Sequence, residues 1–459
     1  MIDLDDQLAA YSRYLDSAEQ ETAGGSEPPH PVPVIVTAEP VHPSRRRWIS
    51  AAAAAAVVAI GGAALFRVLG DDGAAPGTPA DPPWQLVTDD DAGFVPPPVE
   101  APAPTRGGVP VTNTVEVTDV AATSYGLLAV GNETVDQREQ GVLWRSADGI
   151  DWARVPLTDV VNSGTFTGAA GPGLAAISER DGRVVIAGQH STYVSDDLET
   201  WERGSNPSGP YLEDDVLWLS IAAGPAGFVA VGSGGAWYSA DGRDWEQTDS
   251  AGFLALHHVI FGGDQFVAVG VDGQGGIVAT SADGQSWERQ ALPSLSRIDN
   301  AVSDSRQIAL QGDVIVAVGT SWTLDDDLRR ESSELIAWRS DDGGSTWTAI
   351  ELPQQGSDER YGGVALATEQ EFIVFGNEVG GEGEGFELRS PDGIEWTEHP
   401  IELPGYRRAA TAFGDGAVAV GQAGPMLGAG SAEPPPSAVD GMVAAPPSTT
   451  VSVWTLGLS

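Results

Sequence analysis

The stretch Ser340–Trp347 reads SDDGGSTW, and close variants of it bring the number of copies in this chain to six. The other five, each one residue shorter, are SADGIDW at Ser146–Trp152, SDDLETW at Ser195–Trp201, SADGRDW at Ser239–Trp245, SADGQSW at Ser281–Trp287 and SPDGIEW at Ser390–Trp396. Recurrence at a spacing of roughly 40–60 residues indicates a repeat architecture, in which one structural unit recurs along the chain. These acidic turns therefore decide the fold class.

A second repeated element, an apolar segment that ends in glycine, occurs once in each unit. The seven segments are LAVG at Leu128–Gly131, VIAG at Val185–Gly188, VAVG at Val229–Gly232, Val267–Gly270, Val316–Gly319 and Val418–Gly421, and IVFG at Ile373–Gly376. Runs of β-branched residues bounded by Gly, Asp and Asn predict strands. Four antiparallel strands a unit, repeated around a ring, form a β-propeller, because stacking buries faces that one sheet leaves exposed.

The acidic turns resemble the Asp-box repeat (Ser-x-Asp-x-Gly-x-Thr-Trp) of sialidases and other Asp-box propellers, and the resemblance covers roughly residues 109–459. An aspartate can fix a tight turn by accepting backbone hydrogen bonds, and tryptophan is a large apolar plug between sheets. The copy at Ser195 has Leu198 where a glycine is expected. Structural roles are predicted for Asp148, Trp152, Asp241, Trp245, Asp283, Trp287, Asp342, Trp347, Asp392 and Trp396.

The seventh unit lacks a fourth strand, because Val451–Leu456 matches a third strand and only three residues follow it. A closed ring has no exposed sheet edge, so we predict that Trp84–Thr88 (WQLVT) supplies the missing strand, with Val109–Val117 as the alternative. The predicted fold is all-β: a seven-bladed β-propeller of four-stranded blades with Asp-box turns, plus an N-terminal transmembrane helix.

The N-terminal part contains 19 uncharged residues, Trp48–Phe66, directly after three arginines. This length can span a bilayer, and the arginines predict a cytoplasmic N-terminus. Since Ser44–Ile49 resembles a twin-arginine export signal, secretion by that route is the alternative to a membrane anchor. The predicted segments are a cytoplasmic tail with a short amphipathic helix (1–47), a transmembrane signal anchor (48–69), a Pro/Ala/Asp-rich linker (70–108) and the extracytoplasmic propeller (109–459).

The chain is strongly acidic, with a formal net charge of −43, and all of its 23 basic residues are arginine. Such a charge repels phosphate backbones and excludes nucleic acid as the expected partner. The absence of cysteine excludes disulfides and thiol catalysis. A closed ring of this length can bury a sufficient core without such crosslinks. We expect a monomer, and no cofactor or metal ion is predicted.

The enlarged connections between second and third strands should decorate one common face, where binding residues concentrate. The run Asp325–Asp327 offers the oxygen ligands that calcium requires, although a solvated acidic loop is the simpler interpretation. The residues predicted for this binding face are Trp322, Asp325, Asp327, Arg329, Arg330, Tyr211 and Tyr406.

The resemblance to sialidases also implies a catalytic set to consider. Sialidases bind the substrate carboxylate with three arginines and use a Tyr–Glu pair as nucleophile. The residues of matching type are Arg360, Arg407, Arg408, Tyr361 and Glu359. However, the Arg-Ile-Pro motif of sialidases is missing, and adjacent arginines on a strand point to opposite faces.

The predicted function is therefore binding: a membrane-anchored propeller that recognises a protein, peptide or glycan. A sialidase-type glycoside hydrolase is one alternative. A transmembrane sensor that signals through residues 1–47 is the other.

Overall fold

The computed structural model of the chain describes one compact unit within Asp81–Ser459. The described residues are 84–87, 94, 105–106, 109–110, 113–135, 138–157, 161, 173–188, 191–205, 218–248, 253–272, 274–295, 302–324, 330–353, 360–378, 385–399, 406–423 and 450–458. Most of them lie in β-strands that assemble into seven four-stranded sheets, the blades of a propeller. The predicted seven-bladed fold is confirmed.

The strands of each blade follow one another from the ring axis outward. Blade 1 contains β4 (Thr114–Thr123), β5 (Gly126–Val135), β6 (Arg138–Ser146) and β7 (Trp152–Val155). Blade 2 contains β8 (Leu174–Arg180), β9 (Arg183–Gly188), β10 (Thr192–Ser195) and β11 (Glu202–Arg203). Blade 3 contains β12 (Trp218–Gly224), β13 (Gly227–Gly232), β14 (Gly235–Ser239) and β15 (Glu246–Gln247). Blade 4 contains β16 (Ala255–Gly262), β17 (Gln265–Asp272), β18 (Gly275–Ser281) and β19 (Glu288–Ala291).

Blades 5 and 6 repeat this order, and blade 7 draws one strand from near the start of the described chain. Blade 5 contains β20 (Val302–Gln311), β21 (Val314–Leu324), β22 (Arg330–Ser340) and β23 (Thr348–Glu351). Blade 6 contains β24 (Arg360–Ala367), β25 (Phe372–Glu378), β26 (Gly385–Ser390) and β27 (Thr397–His399). Blade 7 contains β28 (Tyr406–Phe413), β29 (Gly416–Ala423), β30 (Thr450–Leu456) and β1 (Gln85–Val87). A separate two-stranded sheet pairs β2 (Thr105–Arg106) with β3 (Val109–Pro110).

The ring closes through β1, which pairs antiparallel with β30 as the outer strand of blade 7. This confirms closure by the segment Trp84–Thr88, while the alternative segment contributes to the inner strand of blade 1. Phe94 follows the closing strand, is 1% exposed and packs against Trp144 at a ring-centroid distance of 4.7 Å. Part of the predicted linker thus belongs to the propeller core.

One cluster of buried side chains fills each of the seven interfaces between blades. The repeated segments explain the packing. In four blades the alanine of the segment stands opposite a buried tryptophan on the third strand, as Ala129 does opposite Trp144. The small residue leaves room for the indole ring, which faces the preceding blade, whereas Leu128 and Val130 face the following blade.

The glycine that ends each repeated segment lies opposite a β-bulge in the inner strand. In blade 1, Gly131 pairs with Val117 just before the register shifts to Asp119. A Cβ atom on Gly131 would lie 2.0 Å from the carbonyl oxygen of Glu116. The bulge pushes the inner backbone toward the second strand, and only glycine fits that approach.

The bulged residues occupy one level around the ring axis. In blade order they are Thr118, Ala175, Leu219, His257, Arg306, Gly363 and Arg408. While the core positions repeat almost unchanged between blades, these seven positions carry six different residue types.

Within the part of the chain that the structure describes, no helix has the length and apolar character needed to cross a membrane. The predicted anchor (48–69) and the predicted tail (1–47) lie outside the described residues.

Candidate functional site

The acidic turns connect the third and fourth strands, at the end of the ring where the inner strands terminate. In the first turn, Asp148 Oδ1 accepts hydrogen bonds from the backbone N–H groups of Ile150 and Asp151, both at 2.9 Å. The N–H of Gly149 donates to Ser146 Oγ at 2.8 Å. The bond from Ile150 makes the largest contribution to lowering the pKa of Asp148. The carboxylate is thus engaged in holding the turn.

The other turns repeat this arrangement, and their tryptophans pack inward. Trp347 Nε1 donates to the carbonyl of Gly344 at 2.9 Å, as Trp152 and Trp245 do to the glycines of their turns. Leu198 takes the glycine position of the second turn with a φ of 63°, and its side chain is buried between blades 1 and 2. These turns therefore have a structural role, because their aspartate and serine side chains are bonded within the turn.

The opposite end of the ring carries the enlarged second-to-third connections. In blade 5 most of the described insertion continues the hairpin, since β21 and β22 stay paired out to Leu324 and Arg330. Trp322 lies on this extension, partly exposed, and pairs with Ser333 on β22 and with Val302 on the inner strand. The tryptophan therefore stands on a regular β-ribbon.

The remaining candidates for the binding face and the catalytic set are described unevenly. Tyr211, Asp325, Asp327, Arg329 and Glu359 lie outside the described residues. For Arg330, Arg360, Tyr361 and Tyr406 only the backbone is described, at the ends of their strands nearest this face.

The adjacent arginines of blade 7 separate, as the alternation of strand residues predicts. Arg407 is 4% exposed, and its guanidinium lies 4.3 Å from the ring centroid of Trp454 and 5.4 Å from that of Phe375. Burial lowers the pKa of Arg407 to about 10. Arg408 is exposed and forms an ion pair with Glu116 of blade 1. Only Arg408 is presented to solvent, so the two do not converge on one ligand group.

Residues at the bulges form hydrogen bonds to the inner strand of the neighbouring blade. Each inner strand borders the central channel, and its backbone groups on the channel side have no partner strand. The N–H of Ile177 in blade 2 donates to Asp119 Oδ2 at 2.9 Å, and Thr118 Oγ1 donates to the carbonyl of Leu174 at 2.9 Å. The N–H of Val120 also donates to Asp119, through Oδ1 at 2.8 Å. One carboxylate thus bridges two channel-facing N–H groups.

Burial raises the pKa of Asp119 to about 7. Part of the residue is accessible from the channel, but the ring surrounds the carboxylate and limits its hydration. The two hydrogen bonds favour the charged form without overcoming this desolvation.

Two further interfaces use the same contact with different residue types. The N–H of Val259 donates to Ser220 Oγ, and the N–H of Ile308 donates to His258 Nδ1, both at 3.3 Å. Burial lowers the pKa of His258 to about 4, so its ring is neutral and can accept this bond. His257 Nδ1 lies 2.9 Å from the carbonyl oxygen of Ser305. Both histidines hold the next blade, and the described residues contain no group of three potential metal ligands.

Sequence reasoning missed Asp119 and Ser220 as channel residues. The available signal was position: each stands two residues beyond the inner-strand residue that faces a repeated glycine.

The architecture defines an all-β repeat protein, a seven-bladed propeller whose bulged inner strands line its channel. The chain belongs to the DUF6242 beta propeller domain family, whose model matches residues 188–419, half of the chain.

Solved structures share the fold at low identity. One is described as YCF48 bound to D1 peptide, with 14% identity, 75% of this chain and 93% of that chain covered, and a TM-score of 0.46. Another is a mutant α-L-arabinofuranosidase from Fusarium graminearum in complex with an iminosugar inhibitor, with 14% identity, coverages of 75% and 93%, and a TM-score of 0.41. These likenesses concern the fold alone. No curated protein matches the chain.

Proposed function

We propose that the chain is a binding module whose ligand, a protein, peptide or glycan, lies across the channel mouth on the face opposite the acidic turns. The observation that carries this proposal is the ring of bulged residues. Thr118 and His257 also contact the next blade. The core positions are nearly alike in every blade, whereas the seven bulged positions differ in size and charge. Differences at one level of a symmetric ring create the asymmetry that recognition of a ligand requires.

Exposure supports the same location. Arg306 and Arg408 are exposed, and the side chain of Leu219 is 38% exposed although it is apolar. Trp322 stands near the same mouth on the extended hairpin of blade 5. Cationic, apolar and aromatic side chains at one rim are the types that binding surfaces favour.

The proposal includes a location outside the cytoplasm, with residues 48–69 as a membrane anchor. It is supported by the 19 uncharged residues that follow the three arginines. Secretion by the twin-arginine route would instead place the chain in the medium, so the two routes are distinguished by fractionating cells and medium.

Site-specific crosslinking tests the binding face directly. A photoreactive residue replaces Trp322 in the full chain, expressed in its own cells, and crosslinked species are identified by mass spectrometry. The matched control replaces Ile394, which is 48% exposed on an acidic turn at the other end of the ring. We expect a discrete partner only from position 322. Equal crosslinking from both positions, or none from 322, would refute the proposal.

A further inference from the structure

Seven equivalent N–H groups surround the channel, one on each inner strand. They belong to the inner-strand residues that pair with the second residue of each four-residue repeated segment. These are Val120, Ile177, Ile221, Val259, Ile308, Ala365 and Ala410. Four of them donate to side chains at the bulges: two to Asp119, one to Ser220 and one to His258. Because residues in the same register of antiparallel pairs orient their N–H groups alike, the other three also point away from the second strand.

Val120 uses an acceptor on its own strand, Asp119, whereas the acceptors of Ile177, Val259 and Ile308 belong to the preceding blade. The residue that would face Ala410 is Val364 of blade 6, and the one that would face Ile221 is Ala176 of blade 2. Neither side chain contains a hydrogen-bonding atom. Among the described residues, therefore, the N–H groups of Ala410 and Ile221 have no side-chain acceptor of the kind that Asp119 supplies.

Charge distinguishes these two positions. Ala410 shares its strand with Arg407 and Arg408, whereas the strand of Ile221 presents the exposed apolar side chain of Leu219. Arg408 contacts Glu116, and a guanidinium with five N–H donors can bind a second acceptor as well. Arg407 is buried, so Arg408 is the arginine of this strand that is presented to solvent, on a chain with 66 acidic and 23 basic residues.

We propose that the channel wall of blade 7 binds a carboxylate of the ligand, which accepts a hydrogen bond from the N–H of Ala410 as Asp119 does from that of Ile177. Arg408 supplies the opposite charge nearer the mouth. Leu219, on the side of blade 3, contacts an apolar group of the same ligand. This inference rests on the proposed function, since it names the chemistry that the mouth recognises.

The carboxylate has two sources: the side chain of a peptide or a small free acid. Fluorescence polarisation with the purified full chain uses a labelled peptide of alternating glutamate, glycine and leucine, and the same peptide with glutamine as its uncharged counterpart. We expect the glutamate peptide to bind at least about tenfold more tightly, the range for a hydrogen bond to a charged group. Displacement by millimolar succinate assigns the site to small acids, and resistance to succinate assigns it to peptides.

Two substitutions test the position. Val364→Thr is nearly isosteric and places a hydroxyl at the Ala410 N–H, as Ser220 does at Val259, so the glutamate peptide should bind about tenfold more weakly. Ala176→Ser places a hydroxyl at the N–H of Ile221 in the same way and should leave the affinity for the glutamate peptide unchanged. Arg408→Gln, at an exposed position, should weaken binding without affecting folding, in contrast to the exposed control Arg203→Gln on an outer strand.

Equal affinity for the two peptides, or unchanged affinity in both Val364→Thr and Arg408→Gln, overturns the inference. A partner crosslinked from position 322 would still support the proposed function in that case, so the two failures are distinguishable. Matching thermal unfolding curves establish that each variant is folded.

Discussion

Glycine at the end of each repeated segment is a requirement of the inner-strand backbone. The Cβ atom of an alanine at position 131 would meet the carbonyl oxygen of Glu116 at 2.0 Å, a contact with backbone that cannot rotate away. We expect Gly131→Ala to lower the free energy of unfolding by roughly 2–4 kcal/mol, the range for disrupted packing. Chemical denaturation measures this change.

Gly414→Ala is the control for that substitution. Gly414 has a φ of 57° and no atom within 4 Å of its added Cβ, so only the left-handed backbone penalty of about 1–2 kcal/mol applies. Equal losses in the two variants would contradict the steric explanation.

Asp119 should give the stability of the protein an unusual pH dependence. Its pKa is about 7 in the folded protein against 3.8 for an unperturbed carboxyl. Between these values the folded state keeps a proton that the unfolded state releases, so this residue's contribution to stability falls as the pH rises. From pH 5 to pH 8 the wild type should lose about 2–3 kcal/mol relative to Asp119→Asn, by linkage.

Asp148→Asn should behave in the opposite way. Backbone hydrogen bonds, first that of Ile150, lower the pKa of Asp148, so its contribution is present at neutral pH and is lost in acid. Denaturant midpoints measured from pH 8 down to below the unperturbed value of 3.8 separate the two cases, because the contribution of Asp148 is lost only at that acid end. Parallel profiles for Asp119→Asn and wild type between pH 5 and pH 8 would contradict the assignment.

At the scale of elements, the three-residue strand β1 closes the whole ring. Its residues alternate: Val87 is 9% exposed within the cluster between blades 7 and 1, while Leu86 is 39% exposed. Val87→Asp should destabilise the full chain by about 3 kcal/mol, because it buries an unpaired charge. Leu86→Asp places the same charge on the solvent side and should cost well under about 1 kcal/mol.

Thermal unfolding followed by circular dichroism, with light scattering to detect association, measures both variants. Loss of β1 exposes an edge of β30, so Val87→Asp should also aggregate. Indistinguishable melting of the two variants would show that closure does not limit stability.

For the whole molecule, local repetition made the fold predictable. The acidic turns recur with a closing tryptophan, and the apolar segments recur with a closing glycine. The number of blades and the closing strand could therefore be predicted from residues such as Trp84 and Trp454. The channel could not be read in the same way. A bulge leaves only a glycine in the sequence, and Gly131 looks like the end of a strand when it in fact faces a displaced neighbouring strand.

The candidate site was predictable only in part, for the same reason. The face that carries enlarged connections follows from spacing, and Trp322 lies on the extended hairpin at that face, where its role in binding stays a prediction. The acceptors of the channel depend on contacts between blades, as with Asp119 and Ile177, which stand 58 positions apart. No sequence pattern within one repeat unit predicts a hydrogen-bond partner that lies in another blade.

The pairing of β1 with β30 in blade 7 also constrains the order in which the protein can fold. Gln85 pairs with Thr455, so β1, which is synthesised before the other strands of all seven blades, has no pairing partner until β30 has been synthesised. Until then β1 has no strand edge to pair with, and the hydrophobic cluster between blades 7 and 1 that buries Val87 and Phe94 is incomplete. Pairing across so long a stretch of chain is slow, so the ring should be assembled blade by blade and closed only after β30 is available to pair with β1.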